Sequence, residues 1–123
     1  MANYYQPEIE TMPVEELQAL QSERLVKQVR YVYDNVEFYR NRMDEAGVKP
    51  EDVKGIEDLY KLPFINKDDL RDQYPYGLLA VPLNDCVRIQ STSGTTGRRV
   101  VAFYTQEDID IWEECCARAI MAA

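Results

Sequence analysis

Hydrophobic and polar positions alternate with a helical period over most of the first two thirds of the chain. Leu25, Val29, Val32 and Val36 recur at spacings of four, three and four, which places them on one apolar stripe. Pro13 suits a first helical turn, and Glu15 and Glu16 behind it suit the positive end of the helix dipole. Asn35 is a candidate cap for a following helix through Phe38, Tyr39 and Met43, which Gly47 ends. A turn-rich stretch follows around Pro50, Gly55 and Pro63. Asn66, with Asp69 three residues on, predicts a short helix carrying Leu70, closed by Tyr74-Pro75-Tyr76-Gly77.

The period then changes. Cys86-Val87-Arg88-Ile89 and Val100-Val101-Ala102-Phe103-Tyr104 read as strands flanking one loop. Thr105 and Asp108 form a capping-box pattern, opening a helix on which Ile109, Trp112, Cys116, Ala119 and Ile120 share a face. That spacing predicts Trp112 as a core residue. The helix runs to Ala123 with no stop signal, and two strands make a poor sheet by themselves. The chain therefore reads as an opening segment whose sheet partners lie elsewhere.

The loop carries the candidate chemistry. Ser91-Thr92-Ser93-Gly94-Thr95-Thr96-Gly97 contains five hydroxyl residues and two glycines, and runs into Arg98 and Arg99. Gly94 and Gly97 can adopt positive φ and leave the backbone bare for an anion. The exposed N–H groups can form an anion nest, with hydroxyls as further donors. Each hydrogen bond to a charged oxygen contributes roughly 1.5–3 kcal/mol, so three or four suffice for a triphosphate. Neither the Walker pattern nor the dinucleotide fingerprint fits, since no lysine follows and the next segment is a strand. Composition alone equally fits a Gly/Ser/Thr hairpin loop with no ligand.

Bulk properties narrow the classes. The 123 residues allow one domain with a modest core. The net charge of −8 opposes nucleic acid or an anionic membrane as partner, and makes the Arg98-Arg99 pair a local exception. Histidine is absent, which removes a Ser-His-Asp triad and any His-ligated metal within the chain. Cys86, Cys115 and Cys116 form no disulfide framework or C-x-x-C motif; Cys115 and Cys116 read as small packing residues in a reducing cytosol. No signal peptide or membrane-length apolar run is present, and a cytoplasmic protein is expected. Tyr31, Tyr33 and Tyr39 read as packing or subunit-interface residues. Asp68, Asp69 and Asp72 read as a solvated helix face, and Arg42 and Arg71 as surface charge.

Thr92-Ser93-Gly94-Thr95-Thr96-Gly97 resembles the phosphate-loop signature of adenylate-forming enzymes, the acyl-CoA synthetases and their relatives. The run from Leu62 to Gly77, the segment from Tyr31 to Arg40, and Tyr104-Thr105 with Asp108 and Trp112 resemble phenylacetate–CoA ligases in particular. The similarity extends from about Pro7 to the end. It implies the α/β fold of adenylate-forming enzymes, represented here by a mostly α-helical part with a β-hairpin carrying the phosphate loop. Residues 1–84 would be a helical amino-terminal segment, and 85–123 the opening of the ATP-binding α/β large domain. The rest of that domain and a mobile carboxy-terminal domain would be missing.

The resemblance implies activation of phenylacetate or a similar aryl acid by MgATP through an acyl-adenylate, then thioester formation with coenzyme A. Ser93, Gly94, Thr95, Thr96, Gly97 and Arg98 would bind the ATP phosphates, with no catalytic or metal-ligating residue in this chain. Partners would be the small-molecule substrates, the missing remainder of the enzyme and a second copy in a homodimer. Two departures stand out: Arg99 replaces the family's usual proline, and Val100 replaces the lysine of the common pattern. The alternative is a non-catalytic helical part or association module burying the Leu25/Val36 stripe. The chain alone is expected to form no thioester.

Overall fold

The computed structural model describes residues 4–95 and 97–123. Five helices occur among them: α1 (Pro7–Glu10), α2 (Val14–Asn35), α3 (Glu37–Glu45), α4 (Lys67–Asp72) and α5 (Gln106–Ala122). Two strands, β1 (Arg88–Ser91) and β2 (Val101–Tyr104), form an antiparallel ribbon. Short 3₁₀ turns occupy Pro50–Asp52, Ile56–Lys61 and Leu83–Asp85.

The α2–α3 junction differs from the sequence expectation. Val36, not Asn35, caps α3: its extended backbone (φ −125°, ψ 107°) breaks the helix, while its N–H still donates to Val32 O at 2.9 Å. Asn35 belongs to α2, and its amide donates back to Tyr31 O at 2.8 Å. The reason is packing. The break at Val36 turns the chain while keeping that valine buried. Arg40 then donates to the Tyr33 and Asp34 carbonyls at 3.1 and 3.3 Å, satisfying acceptors at the end of α2. Gly47, at φ +68°, terminates α3 as expected.

The core sits in this helical part. Val29, Met43 and Val53 are buried together, with Leu25, Tyr33, Val48 and Leu62 packed around them. At its edge Tyr33, Asp44 and Lys49 form a closed polar cluster. The Tyr33 hydroxyl donates to Asp44 at 2.8 Å, and Lys49 Nζ donates to both, at 3.0 and 2.6 Å. Lys49 and the Tyr33 hydroxyl hold the Asp44 carboxyl below its ordinary pKa, and the same contacts raise that of Lys49. Tyr39 is half-buried, and desolvation raises its phenol pKa.

The helix α4 forms where Asn66 predicts it. Its side chain accepts from the Asp68 and Asp69 amides at 2.8 and 3.1 Å, while Asp69 accepts from Asn66 N at 2.8 Å. The acidic face is not wholly solvated, because Arg42 reaches from α3 to Asp69 at 2.7 Å. Arg42 is thus a tie between α3 and α4, and Arg71 pairs with Asp68 at 2.8 Å. Beyond α4 the chain delivers Tyr76 to Phe103 of β2, with ring centroids 5.6 Å apart.

The last helix corrects two expectations. Cys115 and Cys116 are exposed, Trp112 is 41% accessible and Ile120 75%. The apolar face of α5 is therefore largely uncovered within this chain. Phe64 and Tyr60 are exposed as well. The accessible surface is 9084 Å², whereas a compact monomer of this mass exposes about 6800 Å². The excess of about 2300 Å² is the size of an obligate interface.

Candidate phosphate-binding loop

The strands pair Arg88 with Tyr104, Ile89 with Phe103, Gln90 with Ala102 and Ser91 with Val101. They begin two residues and one residue later than the sequence reading places them. The ladder extends one step further, because Thr92 N donates to Val100 O at 3.0 Å and Val100 N to Thr92 Oγ1 at 3.1 Å. The Thr92 hydroxyl thus closes the stem of the hairpin. Residues 93–99 form the loop between them.

Two glycines bend the loop. Gly94 has φ +73° and Gly97 φ +132°, both conformations that L side chains rarely adopt. Gly97 N donates to Gly94 O at 3.2 Å, closing a four-residue turn. A Cβ on Gly94 would stand 2.8 Å from Arg99 Cγ, so the missing side chain also makes room for Arg99. Nothing lies within 4 Å of a Cβ on Gly97. Ser93, Thr95, Gly97, Arg98 and Arg99 are exposed and Gly94 is half-buried. Thr96, also a candidate donor, lies outside the described residues. Among the described residues, Arg98 and Arg99 enter no ion pair. In a chain of net charge −8, Arg98 and Arg99 beside the glycine turn concentrate positive charge locally.

A cavity of about 460 Å³ opens at the loop's root, lined by Gln90, Ser91, Thr92, Val100, Ala102 and Tyr104. A larger cleft of about 2060 Å³ separates α2 and the 70–81 segment from β2 and α5, and none of the described residues of 93–99 lines it. It exceeds the 300–1,000 Å³ usual for a small-molecule pocket. Its lining mixes Leu25, Leu79, Val101 and Phe103 with charged residues such as Arg24, Arg30, Glu107 and Glu114.

A group that the sequence reading assigned to the core holds the stem. Trp112 of α5 stacks on Tyr104 with centroids 5.8 Å apart and planes at 30°. The Arg88 guanidinium lies 5.3 Å from the Trp112 ring centre. Gln90, with its amide oxygen turned toward Arg88, accepts from Nη2 at 3.0 Å. The available signal was strand alternation: Arg88 and Gln90 share one ribbon face with their partners Tyr104 and Ala102.

No protein-family model matches the chain. It is 52% identical over 119 residues to a phenylacetate–coenzyme A ligase of Thermus thermophilus, covering 97% of this chain and 27% of that protein. Against the phenylacetate–coenzyme A ligase of Escherichia coli the identity is 50% over 115 residues, covering 94% and 26%. Among solved structures, 2-hydroxyisobutyryl-CoA ligase in complex with 2-HIB-AMP and CoA superposes with a TM-score of 0.85 at 32% identity, over 94% of this chain and 25% of that one. The same ligase in its postadenylation state gives 0.86 at 29% identity, over 96% and 26%. The chain spans about a quarter of the length of these relatives, and its fold is the corresponding part of an adenylate-forming CoA ligase. Along nearly its whole length it is a homologue of the phenylacetate–coenzyme A ligases.

Proposed function

We propose that this chain supplies the phosphate-gripping loop of an AMP-forming ligase that joins phenylacetate, or a similar aryl acid, to coenzyme A. The observation that carries the reading is the hairpin loop: two positive-φ glycines, exposed hydroxyls and two arginines that enter no ion pair among the described residues, at the end of a closed stem. The relatives support the choice of chemistry. They are named phenylacetate–coenzyme A ligases, and the superposing ligase holds an acyl-AMP and CoA.

In the proposed reaction an oxygen of the acid's carboxylate attacks the α-phosphorus of MgATP. The new acyl–phosphate bond forms as the α,β-anhydride breaks, and pyrophosphate leaves. The CoA thiolate then attacks the acyl carbon and AMP departs with the bonding pair. Ser93, Gly94, Thr95, Thr96 and Gly97 would donate hydrogen bonds to the β- and γ-phosphates, with Arg98 as the cation. Their contribution is positioning and stabilisation of the charge that develops on pyrophosphate. Arginine suits this as a forked donor to phosphate oxygens. Magnesium would arrive with the nucleotide as part of the substrate.

Residues 1–84 would then form a helical amino-terminal segment, and 85–123 the opening of the nucleotide-binding domain. The uncovered surface of about 2300 Å² would be met by the remainder of such an enzyme. A cytoplasmic setting goes with this reading; no helix among the described residues is long and apolar enough to cross a membrane. The alternative reading, an association module burying the Leu25/Val36 stripe against a partner, loses its surface here, because Val36 is buried and Leu25 packs against the core of this chain.

Isothermal titration of ATP and of pyrophosphate into the chain tests the proposal. Weak binding is expected, falling at least about 10-fold, or 1.4 kcal/mol, when Arg98 and Arg99 are both changed to alanine. Absence of binding, or binding that ignores both arginines, would overturn it. Mixed with phenylacetate, MgATP and CoA, the chain alone is expected to form no thioester.

A further inference from the structure

A two-stranded ribbon is marginal in water, so something outside its ladder must fix the direction in which its loop projects. Among the described residues, the side chain that spans both strands and a neighbouring helix is Trp112. It meets Tyr104 on β2 and Arg88 on β1, and these two form the register pair farthest from the loop. The connection between β2 and α5 contains only Thr105, whose hydroxyl and backbone close a capping box with Asp108. Thr105 accordingly sets where α5 begins, and the indole, two turns in, lays the helix along the ribbon. Remove the indole and the ribbon loses the contact that fixes its angle to α5, so that its ladder opens more often.

We propose that Trp112 is a positioning residue: clamped between Arg88 and Tyr104, it orders the hairpin stem and thereby preorganises the 93–99 loop for phosphate. The ligand half of this proposal rests on the phosphate-loop reading; the stem half does not. Its 41% accessibility follows from the role. The contacts to Arg88 and Tyr104 cover part of the indole and the remainder stays open. Preorganisation matters because ordering a loop on binding subtracts directly from affinity.

The test compares wild type, Trp112→Leu and Trp112→Phe in two measurements. Amide hydrogen exchange follows Thr92 N–H and Val87 N–H, which close the two ends of the ribbon onto Val100 O and Tyr104 O. Trp112→Leu is expected to speed exchange at both about 10-fold, with Val36 N–H in the helical part unchanged, and Trp112→Phe to restore near-wild-type rates. Pyrophosphate titration is expected to show about 10-fold weaker binding in Trp112→Leu, or 1.4 kcal/mol, and recovery in Trp112→Phe. Unchanged exchange in Trp112→Leu, or failure of phenylalanine to rescue, overturns the proposal. Exchange that responds while wild type ignores pyrophosphate overturns the phosphate reading and leaves the stem assignment supported. Pyrophosphate binding that is equal in all three proteins overturns the preorganising role and leaves the phosphate reading standing.

Discussion

Alanine at Gly94 or Gly97 separates backbone conformation from steric room within the same loop. Gly94 sits at φ +73°, where a non-glycine residue costs about 1–2 kcal/mol. An added Cβ there also meets Arg99 Cγ at 2.8 Å, so the arginine must shift. Gly97 sits at φ +132° with open space around its missing side chain, and only the backbone term applies. That conformation costs of order 1–3 kcal/mol for an alanine. The loop is exposed and contributes little to the core, so either variant relaxes its loop rather than unfolding the chain. The cost then reappears when phosphate demands the original shape. Pyrophosphate affinity is expected to fall about 10-fold or more for each variant, since 1.4 kcal/mol is a factor of ten. Gly94→Ala should suffer additionally because Arg99 must shift, a term that Gly97→Ala lacks. Calorimetric titration measures the affinities, and circular dichroism through thermal unfolding checks that the helices persist. Wild-type affinity in both alanine variants would refute the claim that this glycine geometry is the binding conformation.

In the helical core, Met43→Ala should lower stability by about 2–5 kcal/mol, read from chemical unfolding, because Met43 is buried against Val29 and Val53. Stability should also fall with acid: the Asp44, Glu51 and Asp58 carboxyls, held below their ordinary pKa by Lys49, Arg30 and Lys61, contribute fully above about pH 5, and that contribution fades as pH drops through their lowered folded values. Unfolding midpoints measured from pH 6 to pH 2 check this, and changing Asp44 and Asp58 to asparagine should flatten the profile.

Legibility from the sequence followed the range of the interactions involved. The caps at Asn66 and Thr105 and the stop at Gly47 were readable because each acts within a few residues of itself. The apolar stripe of α2 was readable because its period is intrinsic to the helix. Asn35 was misplaced as a cap because burial of Val36 outweighed a local hydrogen bond. Arg42 looked like idle surface charge because its partner, Asp69, lies 27 residues away. Trp112 and Cys116 looked like core because helical spacing marks an apolar face without saying whether this chain supplies its cover. At the loop, composition and the flanking strands identified the glycines and arginines. The closing bond between Thr92 and Val100 needed the strand register, which two short strands do not encode.

The uneven distribution of burial bears on what the loop can do by itself. The buried hydrophobic residues, Val29, Val36, Met43 and Val53, all belong to the helical part; β1, β2 and α5 contribute none. The helical part therefore holds itself together, whereas the hairpin and α5 rely on ladder hydrogen bonds, the Tyr76–Phe103 contact and the Trp112 clamp. Local opening free energy should follow that division, low in the hairpin and higher around Met43. If the loop grips phosphate as proposed and needs an ordered stem to do so, the fraction of time the stem is closed would scale the apparent affinity directly. Whatever covers the exposed face of α5 raises that fraction without touching the loop. On the proposed phosphate reading, any affinity this chain shows for pyrophosphate is accordingly expected to be a lower bound on what the loop would achieve with the surrounding surface buried.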